Sequence, residues 1–389
     1  MSVRWSVAGI ARLVGVVVLP ATLIGTACRR EPETPVTSDL EKQGREIFRY
    51  DTFGDERFWT DTAQLHKTLE KIRPLQALGL GVKVDLDHLN LVKFVLHNPF
   101  GTSGTRELLR QNAVVGVQAT FDKSGHIARA GITCAFCHST VDNALVPGIG
   151  YRLDGWPNRD LKVGKILSML AAFTPAQKAI LQTWPKGTYD PRFNFDGKST
   201  PLVLPPAYGL AGIKNETYTA EGPISYWNAY VAVTQMHGHG NFSDPRLGVN
   251  IVKTPDMVTP KLPALRAYQH SISSPGAPVG SYSGSGAEKG RAIFAANCAS
   301  CHVNGNSTDN NNGVLHAPSE TGMSAAYAER TSVKRYRATP LRGLSRHPPY
   351  FHDGSAKTLK DVVEHYAKVR SLALTGDQKK QLVEYLKSL

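Results

Sequence analysis

Cys134-Ala135-Phe136-Cys137-His138 and Cys298-Ala299-Ser300-Cys301-His302 are the residues whose types and spacing most directly imply chemistry. Two thiols three positions apart on one helical turn can add to the two vinyl groups of a haem, and the adjacent histidine then reaches the iron from the proximal side. A thiol redox pair or a zinc knuckle also uses Cys-x-x-Cys, but neither needs a histidine directly after the second cysteine. With 5 Cys and 13 His in 389 residues, chance would supply on the order of 0.002 such pentapeptides. Two of them predict two covalently bound c-type haems, attached at Cys134, Cys137, Cys298 and Cys301, with His138 and His302 on the irons.

The fifth cysteine is Cys28, so no disulfide framework is left to form. Residues 1–27 carry Arg4 and Arg12, no acid, and an apolar run from Leu13 to Ile24. That is the build of an export signal, too short for a membrane span. Gly25-Thr26-Ala27-Cys28 resembles a bacterial lipoprotein processing site, with Gly25 departing from the usual aliphatic residue. The expectation is a periplasmic protein anchored through a lipid on Cys28 and touching the membrane only there; an ordinary cleaved signal is the alternative. Without Arg4 and Arg12 the net charge falls from +13 to about +11. This excess suits an acidic redox partner, and no motif suggests a nucleic acid.

The elements that must position the two motifs read as mainly α. Residues 28–40, with Pro32 and Pro35, form a tether, and 41–270 an N-terminal haem domain with a helical lead-in. His66, His88, His97 and His126 in and after that lead-in read as ordinary surface or core histidines. Thr174-Pro175-Ala176-Gln177 is a capping box opening a helix. Another helix starts at Ile224 and ends at Met236-His237-Gly238-His239-Gly240. The Ser/Gly/Pro-rich stretch 270–286 reads as a linker to a C-terminal haem domain, 285–389. In it, residues 304–312 read as a solvated loop, and Thr375 with Gln378 forms a second capping box. Each domain would be a cytochrome c-like fold around one haem.

Tyr336-Arg337-Ala338-Thr339-Pro340-Leu341-Arg342-Gly343 and Pro349-Tyr350-Phe351-His352-Asp353-Gly354-Ser355 resemble the C-terminal signature of bacterial dihaem cytochrome c peroxidases. That superfamily also includes enzymes that modify protein tryptophans, and rubber-cleaving oxygenases look related. The resemblance implies a C-terminal haem that relays electrons to a reactive N-terminal haem. It implies a distal methionine on the C-terminal iron, for which Met323 is the candidate, with Tyr327 and His316 as alternatives. The family's removable distal histidine is replaced by Asp154 in Leu153-Asp154-Gly155-Trp156, which implies an open iron or another cap. Tyr226-Trp227-Asn228 resembles a segment whose tryptophan lies between the haems, making Trp227 the candidate bridge. Gln235, His237 and His239 occupy the region of the family's peroxide pocket, with the two histidines as candidate acid/base groups or a sixth ligand. The family also holds a calcium ion between its domains, whose ligands the sequence does not place.

The expected function is a peroxidase-like dihaem oxidoreductase supplied by a small redox protein, a cytochrome c or a cupredoxin. The alternatives are a pure electron carrier with both irons six-coordinate, and an oxygenase acting on an organic substrate. The oxygenase requires an apolar cavity, which no sequence pattern reveals.

Overall fold

In the computed structural model, which describes residues 35–303 and 308–389, helices dominate and strands occur as five short pairs. The expected export signal over residues 1–27 and the expected anchor at Cys28 lie outside the described residues. Among the described residues no helix is long and apolar enough to cross a membrane.

The lead-in begins with the helix Asp39–Tyr50, whose N-cap Ser38 accepts from Glu41 N while Glu41 reaches back to Ser38 N (3.0 Å). Its buried Gly44, Ile47 and Phe48 lie against the helix Leu262–Ser271. A Cβ on Gly44 would lie 2.0 Å from the Ala264 carbonyl oxygen, so the two helices approach as closely as glycine permits. Helices Leu65–Leu69, Pro74–Gly79 and Thr102–Arg110, with the strand pair Val117–Phe121 and Ile127–Ile132, build an apolar core of their own. The Thr174 capping box forms, with Pro175 in the first turn of Pro175–Gln182. The helix from Ile224 widens after Tyr230 into a π-turn, Val231–Gln235. Such an inserted residue re-aims the side chains that follow it.

In the C-terminal third, Gly284–Asn297 packs on Gly376–Ser388, whose Thr375 and Gln378 form the second capping box. Leu359–Val369 completes a core around Phe294, Val363, Leu382 and Leu386. The stretch read as a solvated loop is partly a correction: Thr308, Asp309 and Asn310 are buried. They are held there because Asn310 donates to the Val314 carbonyl and Asp309 meets His316.

Candidate functional site: two haem-attachment cavities

The first motif forms the one-turn helix Ala135–His138, fixed from behind by short backbone contacts. Gly116, at φ +76, brings its strand so close that a Cβ there would lie 2.1 Å from Phe136 N, and its carbonyl accepts from Thr133 N. Cys134, Cys137 and His138 line a cavity of about 250 Å³. Burial pushes both thiols up to about 12. His138 Nδ1 lies 3.1 Å from the Pro205 carbonyl, which can only accept, so Nδ1 carries the proton and Nε2 keeps its lone pair. Burial lowers His138 to about 4, with the carbonyl opposing and Arg159 adding to the effect. Two neutral sulfurs in an apolar wall and a neutral imidazole with a free nitrogen fit a thioether-bound haem. Among the described residues Glu216 is the one carboxylate in this lining, and no lysine or arginine joins it.

The second motif follows the helix Gly284–Asn297, with Cys298 N bonded to the Phe294 carbonyl at 2.8 Å and His302 N to the Cys298 carbonyl at 3.1 Å. Cys298, Cys301 and His302 line a second cavity of about 260 Å³. Burial lowers His302 to about 4, opposed by the Thr339 carbonyl, so a residue preceding a proline faces the imidazole in both sites. Arg159, Arg337 and Arg342 line this cavity. Arg159 Nε and Nη1 and Arg337 Nη1 are buried without a hydrogen-bond partner, which is costly for a cation unless an anion arrives. Haem propionates are such anions, and these residues would hold them. Pro205, Pro206, Leu210, Glu216 and Tyr218 line both cavities, so one stretch of chain is the wall between them.

The cytochrome c family model matches residues 287–389. Methylamine utilization protein MauG from Methylophilus methylotrophus is 34% identical over 87 residues, covering 21% of this chain and 26% of that protein. MauG from Methylorubrum extorquens is 27% identical over 150 residues, covering 32% and 42%. These matches support the resemblance to the dihaem cytochrome c peroxidase superfamily and place a cytochrome c domain in the C-terminal part of the chain. It spans less than half the length of these curated relatives. A chain of the hydrazine synthase of Kuenenia stuttgartiensis is 19% identical at a TM-score of 0.34, covering 49% of this chain and 73% of that one, a likeness too low to carry an argument.

Measured against the superfamily pattern, the candidates separate. Met323 and His316 line the second cavity, whereas Tyr327 lines the first. His316 has both nitrogens engaged, Nε2 at 2.9 Å from Asp309 and Nδ1 at 3.2 Å from Glu320, so each already faces a carboxylate. Asp309, His316 and Cys301 lie within 4.8 Å of one another, but a thiol, an imidazole and one carboxylate are a poor donor set for calcium. Asp154 does not face the first cavity. Its carboxylate, 5% exposed, takes Arg49 at 2.5 Å, Tyr268 at 2.6 Å and Ser139 at 2.7 Å. The position that holds a histidine in the peroxidases here ties the lead-in helix to the strand Arg152–Asp154.

Trp227 lines the first cavity only, stacked on Tyr230 with centroids 4.9 Å apart; the aromatic residue in the shared wall is Tyr218. Gln235 lines the first cavity, accepting from Tyr189 Oη at 2.6 Å and donating to Thr234 at 2.8 Å. His237 and His239 line neither cavity. His237, at φ +63, stacks on Phe58 at 3.6 Å, and His239 Nε2 meets the Thr254 carbonyl at 2.9 Å. Gln235, the last residue of the π-turn, and Met236 both line the first cavity, and the chain leaves it at His237, where φ is +63. Sequence reasoning missed Glu216, buried in the shared wall with Oε1 at 2.8 Å from His270 Nε2 and Oε2 accepting from Ile224 N at 2.7 Å. An acid within a loop of Asn, Thr and Tyr gives no local signal of such a place.

Proposed function

We propose that the chain is an exported dihaem c-type cytochrome oxidoreductase in which the site at Cys298, Cys301 and His302 receives electrons from a small redox protein. They pass across the shared wall to the site at Cys134, Cys137 and His138, where peroxide is cleaved. The observation that carries this reading is the common wall of the two cavities, which includes Pro205, the residue whose carbonyl holds His138. The haem, when bound, supplies the redox change and a coordination position for peroxide. The chain supplies the rest. His138 and His302 are kept neutral for iron, and Met323 gives the second site a thioether that favours the reduced state. Cleavage of hydrogen peroxide to two waters takes two electrons and two protons. Glu216, paired with His270, is the wall's carboxyl group for moving protons.

The test starts by placing one electron per chain on the second site and then adds peroxide. The account requires prompt reoxidation of that site. A ferrous second site unchanged by peroxide would remove the relay.

A second reading, oxidation of an organic molecule at the first site with peroxide or oxygen as oxidant, is favoured by a separate observation. The lining of the first cavity includes aliphatic side chains of the lead-in, Leu65, Leu69, Ile72 and Leu78, which would suit an apolar molecule. A pure carrier would instead need a sixth ligand there, for which the lining offers the thioethers of Met169 and Met236.

A further inference from the structure

A surface groove of about 740 Å³ lies where the lead-in meets the helices Val163–Ser168 and Pro175–Gln182. Its charged members are Lys67, Lys71, Lys165 and Lys178; among the described residues it has no acid, and none of the four ammonium groups is in an ion pair. Thr68, Ile72, Leu80 and Met169 belong both to this groove and to the lining of the first cavity, so the basic groove and the largely apolar cavity that holds Cys134, Cys137 and His138 have a common boundary. Met169 stays 42% exposed there, an apolar side chain set in a ring of cations.

We propose that this groove is the entrance for an amphiphile with one anionic head group and a linear apolar tail, the head held by the four lysines and the tail directed along the aliphatic walls toward the first haem site. The proposal rests on the reading that the first site oxidises an organic molecule. Charge and lining together select the class. An uncharged hydrocarbon gains nothing from four unpaired ammonium groups, and a small anion gains nothing from a long apolar wall. A cationic amphiphile is repelled at the mouth.

The probe is palmitate, compared with hexadecanol, titrated into the holoprotein by calorimetry with the haem absorption followed in parallel. Palmitate should bind at one site at least tenfold more tightly than hexadecanol. The preference should shrink as salt is raised, because exposed charges are screened. Replacing three exposed lysines together, K67E, K71E and K165E, should weaken palmitate by tenfold or more, leave hexadecanol unchanged and leave the haem content per chain unchanged. Absence of palmitate binding, equal affinity for the alcohol, or palmitate affinity indifferent to both salt and the triple substitution would overturn the proposal. So would loss of haem from the triple variant, which would assign the lysines to the propionates. The wild-type salt series decides even if the variant fails to fold. Palmitate binding without any peroxide-dependent reaction would uphold the site and sink the functional reading. An active peroxidase that ignores palmitate would do the reverse.

Discussion

Two residues decide how each haem site would behave. At the second, Met323 is the thioether in the lining, packed beside Tyr327 and Tyr336, while His316 meets Asp309 and Glu320 and Tyr327 lines the other cavity. Met323→Ala should therefore lower the reduction potential of the C-terminal haem, measured by redox titration, because the thioether stabilises ferrous iron. Tyr327→Phe should leave that potential where it is. At the first site, Glu216→Gln should slow peroxide cleavage by roughly 10²- to 10⁴-fold with haem content intact, the range for losing a general acid/base. His237→Asn is the contrast. Asparagine tolerates the positive φ at this position, and the peroxide rate, read by stopped flow, should not change. A slowed rate in this variant would restore His237 to the reactive site.

At the level of elements, the lead-in helix is locked to the first haem unit through Arg49 and Asp154. Burial pushes the Asp154 carboxyl up, but Arg49, Arg152, Tyr268 and Ser139 outweigh it and hold it below its ordinary value. A depressed carboxylate contributes stability above its unfolded pKa that is lost as pH falls through the folded value. His237, lowered to about 4 by burial and Lys253, acts in the same direction, its contribution fading as pH drops from 6.5 toward 4. Thermal melts should show stability falling on acidification, and His237→Asn should flatten the slope between those pH values. Asp154→Asn should cost about 3 kcal/mol by removing the charge that faces Arg49 in this largely buried ion pair. Because Asp154 lies away from the cavity, ligand binding at the first haem should be unaffected.

For the whole molecule, what was legible in the sequence was what is local in the chain. The two attachment motifs, the capping boxes at Thr174 and Thr375 and the helical lead-in all depend on residues within a few positions of one another. The wall between the cavities was not legible. It joins Pro205 and Pro206 to Glu216 and Tyr218 from a loop-rich stretch with no periodicity. Nor was the partner of Asp154, since Arg49 lies 105 residues earlier in the chain. The π-turn after Tyr230 and the left-handed backbone at His237 were not legible either, because composition records neither an inserted residue nor a positive φ. The lysine groove likewise gathers Lys67 and Lys71 with Lys165 and Lys178, which are separate charges in the sequence and one patch in the fold.

The central claim is a division of labour, with an open first haem and a closed second one. It is tested most directly by electron paramagnetic resonance of the resting oxidised protein before and after cyanide. The account predicts one high-spin and one low-spin ferric signal per chain, with cyanide converting the high-spin signal alone, and that signal absent from a variant lacking Cys134 and Cys137. Two low-spin signals that cyanide leaves unchanged would contradict it and make the chain an electron carrier.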